Sequence, residues 1–124
     1  MNKSTHARNV QCNAITGLIN QGTGTPSGSL RIFTSDSTLI TSLHLSNPAF
    51  ADSTDSTAVA YQIYDATNLV TGTASIYGFY DRDSSFIWGG TVSTIGGGGE
   101  LQINSTSLVE DSTTSIFPAY YAVQ

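Results

Sequence analysis

The segment Ser75-Ile76-Tyr77-Gly78-Phe79-Tyr80-Asp81-Arg82-Asp83-Ser84-Ser85-Phe86-Ile87-Trp88-Gly89-Gly90-Thr91-Val92-Ser93 decides the fold class. Two runs rich in aromatic and β-branched residues flank a polar knot of turn-forming types, which is the signature of a hairpin. Both faces of the run 75–80 carry large apolar or aromatic groups. Strands of that kind sit centrally in a sheet or pack against another subunit. The same alternation of short β-prone runs with Ser/Thr/Gly turns continues from Gly72 to Gln124, with strands predicted at 73–80, 86–93, 100–104 and 112–123.

Working outward, the period of two extends back to Ser29. Leu30 and Ile32 share one face of a strand; Leu39, Leu43 and Leu45 share one face of the next, with Ser42 and His44 on the other. Ser46-Asn47-Pro48 ends that strand, because proline lacks the ladder N–H and restricts the residue before it. A polar loop at 51–57 leads to a further strand at 58–64. Short connections favour antiparallel hairpins, since parallel pairing requires a long crossover. The predicted fold is mainly β: an antiparallel β-sandwich or jelly-roll-like domain of about seven strands.

Before residue 29 the period changes. Ser4 or Thr5 is placed to cap a helix over residues 6–20 whose apolar positions Ala7, Val10, Ala14 and Leu18 recur at three- and four-residue steps, widened by Ile15 and Ile19. Gly17 weakens it by about 1 kcal/mol relative to alanine, so its order depends on docking. Gly22, Gly24, Pro26 and Gly28 break regular structure across 21–28. The chain thus reads as one domain over 1–124: helix, loop, then a β-body from 29 onward.

Composition narrows the function. A chain of 124 residues buries roughly two thirds of its unfolded surface, enough for a core without metals or disulfides. The net charge is −5, with cations only at Lys3, Arg8, Arg31 and Arg82, so no basic stripe is available for phosphates and no nucleic-acid partner is expected. Cys12 stands alone and reads as a buried, inert thiol. No apolar run approaches the roughly 20 residues that span a bilayer, and the polar start lacks the order of a signal peptide, so no membrane partner and synthesis in a cytosol-like compartment are expected. Sequons at Asn2 and Asn104 carry little weight without such a signal.

Nothing in the chain assembles a reaction centre by pattern. Asp81-Arg82-Asp83 has the spacing of a paired carboxylate or a hard-cation site, but lacks the remaining ligands of a calcium loop and reads as a turn, as does Asp52-Ser53-Thr54-Asp55. The glycines at 96–99 are followed by Glu100 and not by the Lys-Ser/Thr of a phosphate cradle, and read as a hairpin loop. His6 and His44 lie far apart, and no Gly-x-Ser-x-Gly elbow occurs. Trp88, with Tyr77, Phe79 and Tyr80, is either a sugar-stacking platform or core; the platform needs coplanar rings open to solvent. The expectation is a non-enzymatic protein without cofactor or metal.

Ala7-Arg8-Asn9, the run Gly28-Ser29-Leu30-Arg31-Ile32-Phe33-Thr34, then Leu43-His44-Leu45-Ser46-Asn47-Pro48-Ala49-Phe50 resemble in order the short motifs of a group of small tailed-phage and prophage virion proteins. Gly72-Thr73-Ala74 leading into Tyr80-Asp81, then Gly89-Gly90-Thr91-Val92-Ser93 and the run Leu101 to Val109, continue the likeness. The resemblance implies a structural protein on the outer surface of a virion head: a decoration or cement protein binding the major capsid protein shell, as a homo-oligomer for which a trimer is the analogue. Its alternatives are a neck, tail or fibre-associated subunit and a glycan-binding adsorption module. The segments expected to make subunit contacts are the helix, through Val10, Ala14 and Leu18, and the C-terminal strand, through Phe117, Tyr120 and Tyr121.

Overall fold

Ser4 starts the helix: it is extended, at φ −68° and ψ 161°, and its Oγ accepts the Ala7 N–H at 3.1 Å, which satisfies one of the donors a helix start leaves open. The structure, a computed structural model, describes residues 4–54, 57–61, 63–98, 101–103 and 105–114, together with the backbone of 120–122. Helix α1 runs Thr5–Leu18, slightly shorter than predicted. The sequon asparagines Asn2 and Asn104, and Phe117, lie outside the described residues.

The apolar stripe read from the sequence is divided between the chain's own core and solvent. Cys12, Thr16 and, just past the helix, Ile19 are buried, whereas Val10 is 54% and Leu18 44% exposed and Ala14 also faces outward. Thr16 tolerates the interior because its hydroxyl bonds back to the Cys12 carbonyl at 2.9 Å, and a cysteine thiol packs as a small hydrophobe. Asparagines on the same side fix the helix to the loop before β3. Asn13 Oδ1 accepts the Ser53 N–H at 2.7 Å, Asn20 Oδ1 the Ala49 N–H at 3.0 Å, and Asn9 Oδ1 the Ser53 hydroxyl at 3.0 Å. The helix therefore docks on its own body.

Eleven strands follow among the described residues: β1 (Ser29–Phe33), β2 (Leu39–His44), β3 (Thr57–Val59), β4 (Ala66–Thr67), β5 (Gly72–Thr73), β6 (Ile76–Tyr80), β7 (Phe86–Thr94), β8 (Leu101–Ile103), β9 (Ser107–Leu108), β10 (Thr113–Thr114) and β11 (Tyr120–Ala122). One five-stranded sheet has the order β2-β1-β6-β7-β8, and three two-stranded ladders join β10 to β4, β11 to β3 and β5 to β9. The chain is mainly β with a short N-terminal helix, as its pattern predicts. The strand count exceeds the predicted seven because ladders of two residues leave no alternation to read. The predicted strand at 73–80 also changes sheet midway: Ala74 N–H bonds to Thr106 O at 2.7 Å and Ser75 N–H to Phe33 O at 2.9 Å.

Register aligns Leu43, Leu30, Phe79 and Trp88 across four neighbouring strands. Leu43, Leu30 and Phe79 are buried, in one cluster that extends from Cys12 and Ile19 to Leu101, Ile103 and Leu108. The opposite face of the same row is Ser42, Arg31, Gly78 and Gly89. In β2 the register slips between Ile32 and Phe33 of its partner, so that Ile40 is buried beside Thr41 and Leu39 is only half-buried. His44 is exposed and Leu45 buried, as alternation predicts.

One pairing overturns the all-antiparallel expectation. β7 and β8 run parallel, Val92 opposite Leu101 and Thr94 opposite Ile103, so the connection between them is a return and not a hairpin. Gly96 at φ +88° and Gly98 at φ +86° let the backbone double back in conformations that side chains disfavour. The loop thereby replaces the helical crossover that parallel strands usually require.

Candidate interaction surfaces

Of the acidic residues singled out by spacing, Asp81 and Asp83 are engaged by backbone. Asp81 Oδ1 accepts the N–H groups of Asp83 and Ser85, both at 2.9 Å, closing the β6–β7 turn in which Ser84 has φ +66°. Asp83 reaches across to the loop after the helix, where its Oδ1 accepts Thr23 N–H at 3.0 Å and Gly24 N–H at 2.8 Å. These bonds, with the positive field of Arg82, hold its carboxyl below the ordinary aspartate range. Arg82 completes the clasp by donating from Nε to Thr25 O at 2.6 Å.

Asp36 behaves likewise in the β1–β2 turn. The hydroxyl of Thr34, then that of Thr38, donates to its carboxylate and lowers its pKa. Ser37 in the same turn has φ +69°. Among the described residues no three His, Cys, Asp or Glu side chains gather into a possible metal site. His6 and His44 are exposed, on α1 and at the end of β2, and Cys12 is sealed under the helix. This arrangement builds turns and ties segments together.

The aromatic residues divide between the two faces of the sheet. Trp88 stacks on Phe79 at 4.4 Å between centroids and 25° between planes; Phe50 packs against both, at 5.6 Å from Phe79 and 5.7 Å from Trp88. Tyr77 meets Phe79 edge-on at 5.9 Å, and Phe79 is only 2% exposed. Trp88 and Tyr77 thus belong to the core and its margin.

The outer face carries a groove of about 440 Å³ lined chiefly by Phe33, Ile76, Tyr80, Phe86 and the backbone at Gly89 and Gly90. Phe86 is 60% exposed. Its rings are not coplanar: Phe33 and Tyr80 meet at 56°, Tyr80 and Phe86 at 68°. The glycines make room for them, since a Cβ on Gly78 would lie 2.9 Å from Tyr80 Cε1 and 3.1 Å from Phe86 Cε1. Arg31, on the same face, lays its guanidinium on the Tyr80 ring at 4.3 Å and donates to Ser84 Oγ at 2.8 Å and Ser29 Oγ at 3.3 Å. Sequence reasoning missed this groove. The signal was present in glycines placed between aromatics in both strands of one hairpin.

The expected contact residues separate as follows. Val10, Ala14 and Leu18 form an outward stripe on α1, opposite the face that docks. Tyr120 and Tyr121 lie in β11, whose backbone pairs with β3, Tyr120 opposite Val59 and Tyr121 opposite Ala58. No described helix is long and apolar enough to cross a membrane. Comparison with protein-family models, with curated proteins and with solved structures gave no significant match.

Proposed function

We propose that the chain is a structural virion protein of a tailed phage, a decoration or cement protein that binds the major capsid protein shell on the outside of the head and stiffens it. The observation that carries this reading is the two-faced helix: one side is committed to the chain's own core, and the other presents Val10, Ala14 and Leu18 to solvent. An apolar stripe on a helix already docked is available for assembly. The carboxylates of Asp36, Asp81 and Asp83 support the same reading, because their oxygens serve turns and a clasp. Many modest contacts repeated on a symmetric shell then sum to tight binding through multivalency. Ordered motifs along most of the chain that resemble small virion proteins add to it.

A neck or tail position is the alternative within the same class, and a cryo-electron microscopy reconstruction of the particle separates the two. Density in many copies across the shell is expected; a single ring at one vertex, or absence from the head, overturns the decoration reading. Val10→Glu and Leu18→Glu, both at exposed positions, are expected to lower occupancy on the shell with folding intact. Removing the whole helix is a poorer test, because Cys12, Thr16 and Ile19 belong to the core. A glycan-binding reading is not favoured: the rings of the groove are not coplanar, and the half-buried Trp88 is stacked on the buried Phe79.

A further inference from the structure

We infer that Arg82 and Asp83 form a latch: their hold on residues 21–25 governs a local opening in which α1 and this strap leave the body together while the five-stranded sheet stays folded. Topology makes the helix separable from that sheet. Among the described strands α1 packs chiefly on β3 and β11, whose ladder is not part of the sheet. The polar anchors on and just past the helix, Asn9, Asn13 and Asn20, bond to Ala49 and Ser53, which also lie outside it. Opening would uncover Cys12, Thr16 and Ile19 and free the helix as an arm.

The strap joins the helix to β1, and none of residues 20–27 is buried, so polar contacts hold it. Asp83 Oδ1 accepts the Thr23 and Gly24 N–H groups, and Arg82 donates from Nε to Thr25 O and from its backbone N–H to Gln21 O at 2.9 Å. Past the latch, Pro26 O accepts from Asn47 Nδ2 and Gly28 O from the Leu45 N–H, which fixes the far end to the body and sets the pivot at 26–28. Ile19 is fully buried against Gly28, where a Cβ would lie 2.3 Å from its Cγ2. While Gln21 is held two residues further on, Ile19 cannot leave that seat; with the latch open, residues 20–25 gain the slack that lets it go. Latch and seat thus raise each other's effective concentration, and segments held by exposed backbone bonds supply the easiest openings of a folded chain. The inference concerns the chain alone and does not rest on the virion reading.

The experiment is amide hydrogen exchange of the full-length chain, followed by NMR in a series of low urea concentrations. The α1 amides are expected to exchange through an opening that leaves Leu30 and Phe79 protected, and Cys12 to become reactive toward a thiol reagent over the same range of urea. Two variants assign that opening, their amide spectra checking that each is folded. Asp83→Ala should speed exchange across α1 at least about threefold, because it removes hydrogen bonds made in the closed form alone. Val92→Ala, a buried position in β7, should speed exchange of the sheet amides and leave α1 unaltered, because the sheet is folded in both the closed and the open forms. Equal acceleration of α1 and sheet in Val92→Ala would mean that the helix leaves only when the whole chain unfolds. Acceleration in Asp83→Ala confined to Thr23 and Gly24 would mean that the strap opens without the helix. Either result overturns the inference.

Discussion

Asp83 Oδ1 accepts the Gly24 N–H at 2.8 Å, and this contact ties the loop after the helix to the turn between the two central strands. A Cβ on Gly24 would lie 2.9 Å from Arg82 O, and one on Gly22, at φ +109°, 2.7 Å from the Asp83 carboxyl carbon. The glycines that read as loop breakers are there to let a carboxylate approach the backbone.

The first prediction concerns acid. Asp83 and Asp36 both have folded-state pKa values below the ordinary 3.8. A depressed carboxyl contributes stability that is fully present above the unfolded pKa and is lost as pH falls through the folded one. Urea midpoints should therefore drop below pH 4, and Asp83→Ala should lower the midpoint at pH 7 while losing less of it on acidification than wild type. Equal losses in the two proteins would remove Asp83 from the account.

Glycine substitution in the central hairpin is expected to be ordered by what the new methyl meets. On Gly89 it would lie 2.2 Å from the Tyr77 carbonyl oxygen, which is backbone; on Gly78 it meets ring atoms of Tyr80 and Phe86 that can turn away. Overpacking typically costs about 1–3 kcal/mol, so Gly89→Ala belongs at or above the top of that range and Gly78→Ala near its bottom. Chemical denaturation of both variants checks this, and the reverse order would show that the two strands are not packed as described.

Cys12 reports on helix docking. Its side chain is fully buried beneath α1, and a buried thiol in apolar surroundings is inert. A thiol-specific reagent should leave the native chain unmodified and react once denaturant frees the helix. Rapid labelling under native conditions would mean that the face holding Cys12, Thr16 and Ile19 is open.

The sequence was legible wherever one rule acted alone. Ser4 as cap, Leu30 and Ile32 on one face, the turn at 81–85 and the mainly β class all follow from local chemistry, because a cap, a pleat and a turn need no distant partner. Which face of the helix meets the chain's own body does not follow from local chemistry. Val10, Ala14 and Leu18 have the spacing of a buried stripe, but so do Cys12, Thr16 and Ile19, and hydrophobicity alone ranks the first set higher. The Thr16 hydroxyl, bonded back within the helix to the Cys12 carbonyl, and three asparagine contacts reverse that ranking, and the asparagine contacts involve tertiary geometry. The parallel return of β8 was hidden for the same reason, since glycines specify freedom and not direction. The groove was hidden because it needs β1, β6 and β7 side by side before its walls meet.

Thr41 offers a test in which stability should rise. It is fully buried in β2, and its Oγ1 has no hydrogen-bond partner, so the hydroxyl was stripped of water with nothing in return. An unsatisfied buried polar group costs about 1–3 kcal/mol. Valine keeps the branched shape that suits a strand and removes the orphan oxygen, so Thr41→Val should stabilise the chain by about 1 kcal/mol or more. Thr41→Ser, which keeps the oxygen and deletes a methyl from a packed site, should instead destabilise it. Urea denaturation of the pair decides the matter: a valine variant less stable than wild type would mean that the Thr41 hydroxyl has a partner in solution, whereas opposite shifts for the two substitutions would locate an unsatisfied polar group in the core.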